Sequence, residues 1–265
     1  MTSIPADAWE SGAAYEPYVG RWSRLVAPEF LDWLAVPAGA LWLDVGCGTG
    51  ALSEAVLAAF APAGVAAVDA SAGYARYARA RIADRRAAFV VADARHLPLA
   101  TARADVVVSG LVLNFVPHPG LAVLEMARVA RPGGVVAAYV WDYAEGMRMI
   151  RLFWDAAIAL DADAAALDEE HRFPLCREGA LPALWRDAGL RDVEEREVVV
   201  PTVFRDFDDF WEPFLGGQGP APTYVTSLAP RSRERLRERL RETLPAWPSG
   251  AIALTARAWA VRGSR

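Results

Sequence analysis

Three aspartates, a run of alternating glycines and a few scattered histidines and tyrosines carry the chemistry that this sequence offers. A short apolar run, Leu41-Trp42-Leu43, leads into Asp44-Val45-Gly46-Cys47-Gly48-Thr49-Gly50, and a helical pattern from Ala51 to Leu57 follows. That order reads as a buried strand, a tight turn and a helix. Glycines at alternate positions let the backbone come close to a ligand that a Cβ would block. The helix start then offers unpaired N–H groups to a carboxylate or phosphate. A dinucleotide-binding turn would read G-x-G-x-x-G, with its third glycine one residue later than Gly50.

Two further acids fall where the same ligand would need them. Val65-Ala66-Ala67-Val68-Asp69 is a second short strand ending in an acid, 19 residues beyond Gly50. That spacing suits acceptance from both hydroxyls of a ribose, with Ala70 beside it. Ser71 then caps the helix expected over 72–83. The third strand, Ala88–Val91, runs into Ala92-Asp93-Ala94, where Asp93 can accept from an exocyclic adenine amine and the Ala94 N–H can meet a ring nitrogen. Candidate bases are His118, after the fourth strand, His171, in the C-terminal half, and Tyr15 and Tyr18 near the start. His96 follows Asp93 and reads as structural or near adenine. No nucleophile–His–acid set and no metal cluster emerges. Cys47 and Cys176 are too few for a disulfide framework, and Cys47 reads as packing within the turn.

The elements that must position these groups alternate regularly. A fourth strand, Ala104–Ser109, is followed by a loop through Asn114 to His118, a helix over 121–130, a turn at Arg131-Pro132-Gly133-Gly134, and a fifth strand, Val135–Trp141. Five strands alternating with helices argue for a parallel sheet covered on both faces, with ligands at the strand carboxyl ends where strand order reverses. Ser109–Asn114 and Trp141–Tyr143 lie on that rim with the glycine turn and the acids. Before the sheet, residues 15–34 suggest two short helices separated at Pro28. Folded over the turn, they would bring Tyr15, Tyr18 and Arg21 to a cofactor. Beyond Trp141 come a helical segment over 145–167, a helix over 181–188, a sixth strand over 193–203 and a final strand over 251–261. Insertions at 143–180 and 205–249 read as lids whose aromatics line an acceptor pocket. The Leu236, Leu240, Leu244 stripe within the Arg/Glu-rich run at 231–241 reads as a surface amphipathic helix.

At 265 residues and 54% hydrophobic, the chain can bury one large core. Its net charge of -5 gives no electrostatic case for nucleic acid or an anionic membrane. All 28 basic residues are arginine, which removes lysine as a catalytic base. Residues 1–16 show no basic segment followed by an apolar run, and no uninterrupted apolar stretch reaches the ~18–20 residues of a membrane span. The expectation is a cytoplasmic protein with one domain over 1–265: a helical cap at 1–40, a ligand-binding half at 41–142, and the two lids.

The order Asp44-Val45-Gly46-Cys47-Gly48-Thr49-Gly50, Val68-Asp69, Ala92-Asp93-Ala94, Leu97-Pro98, Asp105-Val106-Val107, Glu125-Met126-Ala127-Arg128-Val129 and Arg131-Pro132-Gly133-Gly134 resembles the ubiquinone/menaquinone-type (type 11) subgroup of class I S-adenosylmethionine (SAM) dependent methyltransferases. The leading Tyr15-x-x-Tyr18-Val19-Gly20-Arg21-Trp22 resembles bacterial members. The resemblance implies an α/β fold, a doubly wound seven-stranded mostly parallel sheet whose last strand inserts antiparallel beside the fifth. It implies SAM as cofactor: the glycine-loop backbone, with Cys47 inside it, on the methionyl part, Asp69 on the ribose, and Asp93 and Ala94 on adenine. Where relatives often carry His in the fourth-strand loop, this sequence has Asn114, which argues against a base there. The activity implied is methyl transfer to O, N or C of a small apolar or aromatic molecule by a monomer or homodimer. The alternatives are a non-methylating SAM enzyme that rearranges or cyclises its substrate, and a SAM-binding regulatory module.

Overall fold

A computed structural model describes residues 16–216, 219–245 and 249–265. The proposed contribution of Tyr15 lies outside the described residues. A π-helical turn, Glu16–Gly20, opens into α1 (Arg21–Leu34). The core alternation is β1 (Leu41–Val45), α2 (Ala51–Ala59), β2 (Gly64–Asp69), α3 (Ala72–Arg81), β3 (Ala87–Val91), β4 (Ala104–Gly110), α4 (Pro119–Val129) and β5 (Ala130–Trp141). The C-terminal part adds α5 (Arg148–Leu160), α6 (Glu169–Arg172), α7 (Ala180–Asp187), β6 (Arg191–Phe204), α8 (Phe207–Trp211), α9 (Pro220–Ser227), α10 (Pro230–Thr243) and β7 (Ile252–Ser264).

The seven strands lie in the order β3-β2-β1-β4-β5-β7-β6. β1 to β5 pair in parallel, and β7 runs antiparallel to both β5 and β6. Strand order reverses between β1 and β4. With right-handed crossovers, α2 and α3 therefore lie on one face and α4 on the other. The central strands are apolar on both sides, as a sheet covered twice requires: Leu43, Val45, Val107, Val108 and Val136 are fully buried. The fold is the expected doubly wound, seven-stranded, mostly parallel sheet.

Two local expectations are corrected. The leading segment forms one continuous helix through Pro28 instead of two. Pro28 is exposed, while Val26, Ala27, Phe30, Leu31 and Leu34 are buried on the opposite side, so packing outweighs one lost backbone hydrogen bond. The turn expected at Arg131–Gly134 lies within β5, where the β4–β5 register shifts between Ala104 and Val106. Gly133 takes φ +75° and donates to the Arg265 carbonyl, while a Cβ on Gly134 would meet the Arg131 and Asp105 carbonyls at 2.8 and 2.9 Å. These glycines let the strand bulge without ending.

Gly50 has a packing duty of its own. At φ +88° it starts α2, and a Cβ there would sit 2.6 Å from Ile82 Cδ1 at the end of α3. Gly50→Ala is expected to destabilise the protein by about 2–4 kcal/mol, combining left-handed backbone strain with overpacking. Urea unfolding measures it; a midpoint matching wild type would show that the turn has room.

Candidate functional site

A cavity of about 380 Å³ opens at the carboxyl ends of β1 to β5. At roughly 4.8 Å per strand, five adjacent strand ends span about 19 Å. Asp93, Ala94 and Arg95 line it beyond β3; Asp69, Ala70 and Ser71 beyond β2; Asp44, Gly46, Cys47, Gly48 and Thr49 around β1. Gly110, Leu111, Val112, Phe115 and Val116 form its wall beyond β4, and Tyr139, Trp141 and Tyr143 its wall at β5. Five separated sequence stretches thus meet on one rim, and three of them carry the acids singled out by spacing.

Within the glycine turn, the amides of Gly46 and Cys47 both donate to the Val68 carbonyl, at 2.7 and 2.9 Å, and the Gly48 amide donates to Asp69 Oδ2 at 2.8 Å. These amides are bound within the protein, whereas the sequence reading assigned the loop backbone to a ligand. The space above the loop remains: a Cβ on Gly48 would meet no protein atom within 4 Å. Gly46 is held for another reason, since its Cβ would overlap Val112 Cγ1 at 2.4 Å. Gly50 lies behind the cavity wall, at the start of α2.

Asp69 accepts from Gly48 N through one oxygen and from Ser71 N through the other, both at 2.8 Å. Burial raises its pKa against those two donations. Each oxygen keeps a second lone-pair direction for a ligand hydroxyl. Ser71 caps α3 as expected, accepting from the Tyr74 amide at 3.3 Å. Asp44 is fully buried; Oδ2 accepts from Ser53 Oγ at 2.6 Å, while Oδ1 has no partner. Burial pushes its carboxyl up to about 7, with the Asp69 charge adding to the shift and the Ser53 hydrogen bonds opposing it. Asp93 faces solvent more and is clamped by Arg95, whose Nη2 lies 2.6 Å from Oδ2; that clamp pulls its carboxyl down to about 2. Burial, with the nearby Asp44 and Asp69 charges, pushes the Cys47 thiol far up, so it stays protonated and packs.

The loop beyond Asp93 is fixed from below by the Glu125…Arg128 pair on α4. Glu125 Oε2 accepts from the Leu97 amide at 2.8 Å, and Arg128 donates to the carbonyls of Leu97 and Leu99. That pair thus holds the wall that Asp93 and Ala94 belong to.

Other sequence candidates fall elsewhere. Tyr18 is buried with its ring edge-on to Phe214 at 5.5 Å, away from the residues lining the cavity. Arg21 reaches Asp209 at 3.0 Å and lies over Trp22 and Phe204, joining α1 to α8. The π-helical turn before α1 instead turns Val19 and Ser23 into the cavity. Ser109 is fully buried beneath the rim. His118 is exposed at the start of α4, one residue past the cavity-lining Pro117. Asn114 is half-buried in a 3-10 turn, outside the lining. His171 is exposed on α6, where it could meet Asp168 and Glu170 around an ion; Arg151 already pairs with both acids, at 2.6 and 3.2 Å.

The two insertions pack on each other. Phe153 of α5 stacks on Phe214 at 4.6 Å, and Trp154 meets Tyr224 of α9 at 5.5 Å. The first insertion reaches the cavity through Tyr143, backed by Phe173, which also contacts Phe115. Aromatics of the second insertion form the core of this cap and do not line the cavity among the described residues. Arg95, Tyr74, Phe115 and Tyr139 are lining residues that the sequence did not single out. Leu111 lies on the rim as expected, at φ +61°, a left-handed backbone that leaves no sequence mark.

Residues 43–138 match the family model of a methyltransferase domain. The chain is 34% identical over 154 residues to a malonyl-[acyl-carrier protein] O-methyltransferase of Geobacter sulfurreducens, covering 57% of this chain and 56% of that one. It is 40% identical over 104 residues to a demethylmenaquinone methyltransferase of a Roseiflexus species, covering 39% and 43%. A malonyl-[acyl-carrier protein] O-methyltransferase of Hahella chejuensis is 38% identical over 92 residues, covering 35% and 33%. The chain thus spans between a third and just over half the length of these curated relatives. Among solved structures, a Haemonchus contortus phosphoethanolamine N-methyltransferase 2, in complex with phosphomonomethylethanolamine and S-adenosylhomocysteine, has TM-score 0.59 at 16% identity, covering 96% of this chain and 56% of that one. The [4+2]-cyclase SpnF has TM-score 0.55 at 19% identity, covering 99% and 87%. These two likenesses are of fold. With the strand order and the glycine turn, the match places a methyltransferase domain over residues 43–138 of this chain.

Proposed function

We propose that this protein transfers a methyl group from SAM to O, N or C of a small, uncharged, apolar or aromatic molecule. The observation that carries this reading is the shape of the cavity, which runs from the acids at β1–β3 past the β4 and β5 ends into an aromatic wall. The cofactor half fits an adenosyl amino acid: Gly48 leaves open space, Asp44 offers a buried unpaired oxygen, and Asp69 and Asp93 are spaced along the rim. In this assignment Asp44 faces the ammonium group, Asp69 the ribose hydroxyls, and Asp93 and Ala94 the adenine. Bound SAM supplies a methyl group on a positively charged sulfur, already activated for transfer.

The chain contributes orientation and dryness. Among the described residues, the lining beyond β4 and β5 contains no histidine, carboxylate, lysine or arginine. Holding an acceptor in line can supply up to about 7–11 kcal/mol of the barrier, without a strong base. We therefore assign no proton transfer to His118 or His171, and favour acceptors whose nucleophilic atom is neutral with a free pair. The named methyltransferases among the relatives favour methyl transfer over a rearranging or cyclising activity. Open space on the acceptor side favours an enzyme over a regulatory module.

Calorimetry with S-adenosylhomocysteine (SAH) tests the cofactor assignment, and SAH release during an acceptor screen tests transfer. Absence of binding heat for both SAM and SAH would remove the proposal. Asp44 adds a pH signature. Because its carboxyl titrates at about 7, SAH affinity is expected to rise on the order of tenfold from pH 5.5 to 7.5 as the carboxylate forms to face the ammonium group. Asp44→Asn is expected to flatten that profile; a flat wild-type profile would take Asp44 off the ammonium. No described helix is long and apolar enough to cross a membrane. We place the protein in the cytoplasm, as a monomer or homodimer, with a small-molecule partner and no nucleic acid.

A further inference from the structure

The wall at the β3 end is fixed twice, once in its main chain and once in a side chain. Glu125 and Arg128 hold the backbone at Leu97 and Leu99. Arg95 holds the Asp93 carboxylate. Its amide donates to Oδ1 at 2.8 Å, and its guanidinium lies side-on, with Nε 3.0 and 3.1 Å from the two oxygens and Nη2 2.6 Å from Oδ2. The Asp93 side chain is 41% exposed and both residues line the cavity, so a ligand reaches them. A carboxylate offers about four lone-pair directions, two on each oxygen. Arg95 occupies both on Oδ1 and one on Oδ2, which leaves a single direction, on Oδ2. The same local clamp occurs outside the cavity at Asp84 and Arg86, but there Arg86 also donates to the Leu57 carbonyl and ties the turn to α2. Among the described residues Arg95 has no hydrogen-bond partner besides Asp93, so the carboxylate is all that it fixes.

We infer that Arg95 is the positioning residue for the adenine end of the cofactor: it locks the Asp93 carboxylate with one open lone pair on Oδ2 for the 6-amino group, and so makes the site select adenine over a 6-oxopurine. The inference rests on the methyltransferase reading of this site and adds a residue to it. A carboxylate on a freely turning side chain spreads its acceptor directions over many orientations, and ordering it costs entropy when the ligand binds. The clamp sets that orientation in advance. With its other directions taken, the carboxylate accepts one donor at one place, and an oxygen at position 6 would meet it as like against like. A pair this open to solvent adds little to stability, so its removal leaves the fold in place.

The test titrates the full chain by calorimetry with SAH and, separately, with S-inosylhomocysteine, which carries a 6-oxo group in place of the 6-amine. Wild type is expected to bind SAH at least about tenfold more tightly, the ratio one hydrogen bond to a charged group supplies at an exposed site. Arg95→Ala should cut that ratio by about fivefold or more through weaker SAH binding, while the inosyl compound stays within about twofold. Added to Asp93→Ala, the same substitution should change SAH affinity no further, because the arginine acts only through the acid. The inference is overturned if Arg95→Ala weakens both compounds equally, leaves SAH unchanged, or tightens SAH, which would show the arginine competing with adenine for the carboxylate. It is also overturned if the loss persists in the Asp93→Ala background. Arg95→Lys, which keeps the charge but donates from one nitrogen, should lower the ratio as well and gives the reading if the alanine variant does not fold. Wild type without a preference between the two compounds would remove Asp93 from the adenine, and absence of SAH heat would remove the cofactor assignment; each is seen before any variant is made.

Discussion

Replacing Asp69 with alanine is expected to lower SAH affinity by at least about a hundredfold in titration calorimetry. Two hydroxyl donations to a carboxylate are worth roughly 1.5–3 kcal/mol each when buried, and their joint loss exceeds two factors of ten. A second effect compounds the first. The same carboxylate holds the amides of Gly48 and Ser71, so its removal frees the glycine turn and the start of α3 together. Amide hydrogen exchange at these two positions should quicken in Asp69→Ala. Affinity within threefold of wild type would take Asp69 out of the ribose role, and unchanged exchange would take it out of the loop.

The second large effect concerns stability and lies away from the cavity. Glu169 is buried in the cap, accepts from the Trp154 indole, and is pushed up to about 8 by burial, the neighbouring Asp168 adding to the shift and Arg172 opposing it. An unfolded glutamate loses its proton near 4.5. Between those values the folded chain binds more protons than the unfolded one, so stability falls as pH rises. The contribution is fully present below about 4.5 and gone above about 8. The slope approaches about 1 kcal/mol per pH unit in that window. Glu169→Gln keeps an acceptor for Trp154 and removes the charge, so it should be more stable than wild type by a few kcal/mol at pH 8.5 and about equal at pH 4.5. Urea midpoints at the two pH values decide it; a constant difference between the proteins would show that Glu169 is not the titrating group.

The acids lining the cavity were legible because they sit at strand ends, where apolar runs stop at an acid. Asp44, Asp69 and Asp93 each follow such a run, and the glycine turn has a spacing of its own. The β4 and β5 ends were legible as stretches of the same rim, but not every residue of their wall was. Phe115 in a 3-10 turn and Tyr139 inside a strand do not differ in sequence from ordinary core. Tyr18 lies within the π-helical turn and Arg21 opens α1, and both turn to the cap instead of the cavity, toward Phe214 and Asp209. The histidines looked functional because they were rare. Exposure at the start of α4 and on α6 removes them from the cavity, a fact that depends on loop geometry and not on residue type. Gly46 shows the limit from the other side: the glycine was obvious, yet its reason, the methyls of Val112, lies 66 residues away.

β7 lies between β5 and β6. The ribosome therefore completes every cavity-lining strand about 110 residues before it makes the segment that covers the open edge of β5. At about 5–20 residues per second, that edge waits several seconds or longer with its backbone groups unclaimed. During synthesis the nascent chain is exposed to intermolecular strand pairing, and trigger-factor-like holding or rapid release would govern the yield of native protein.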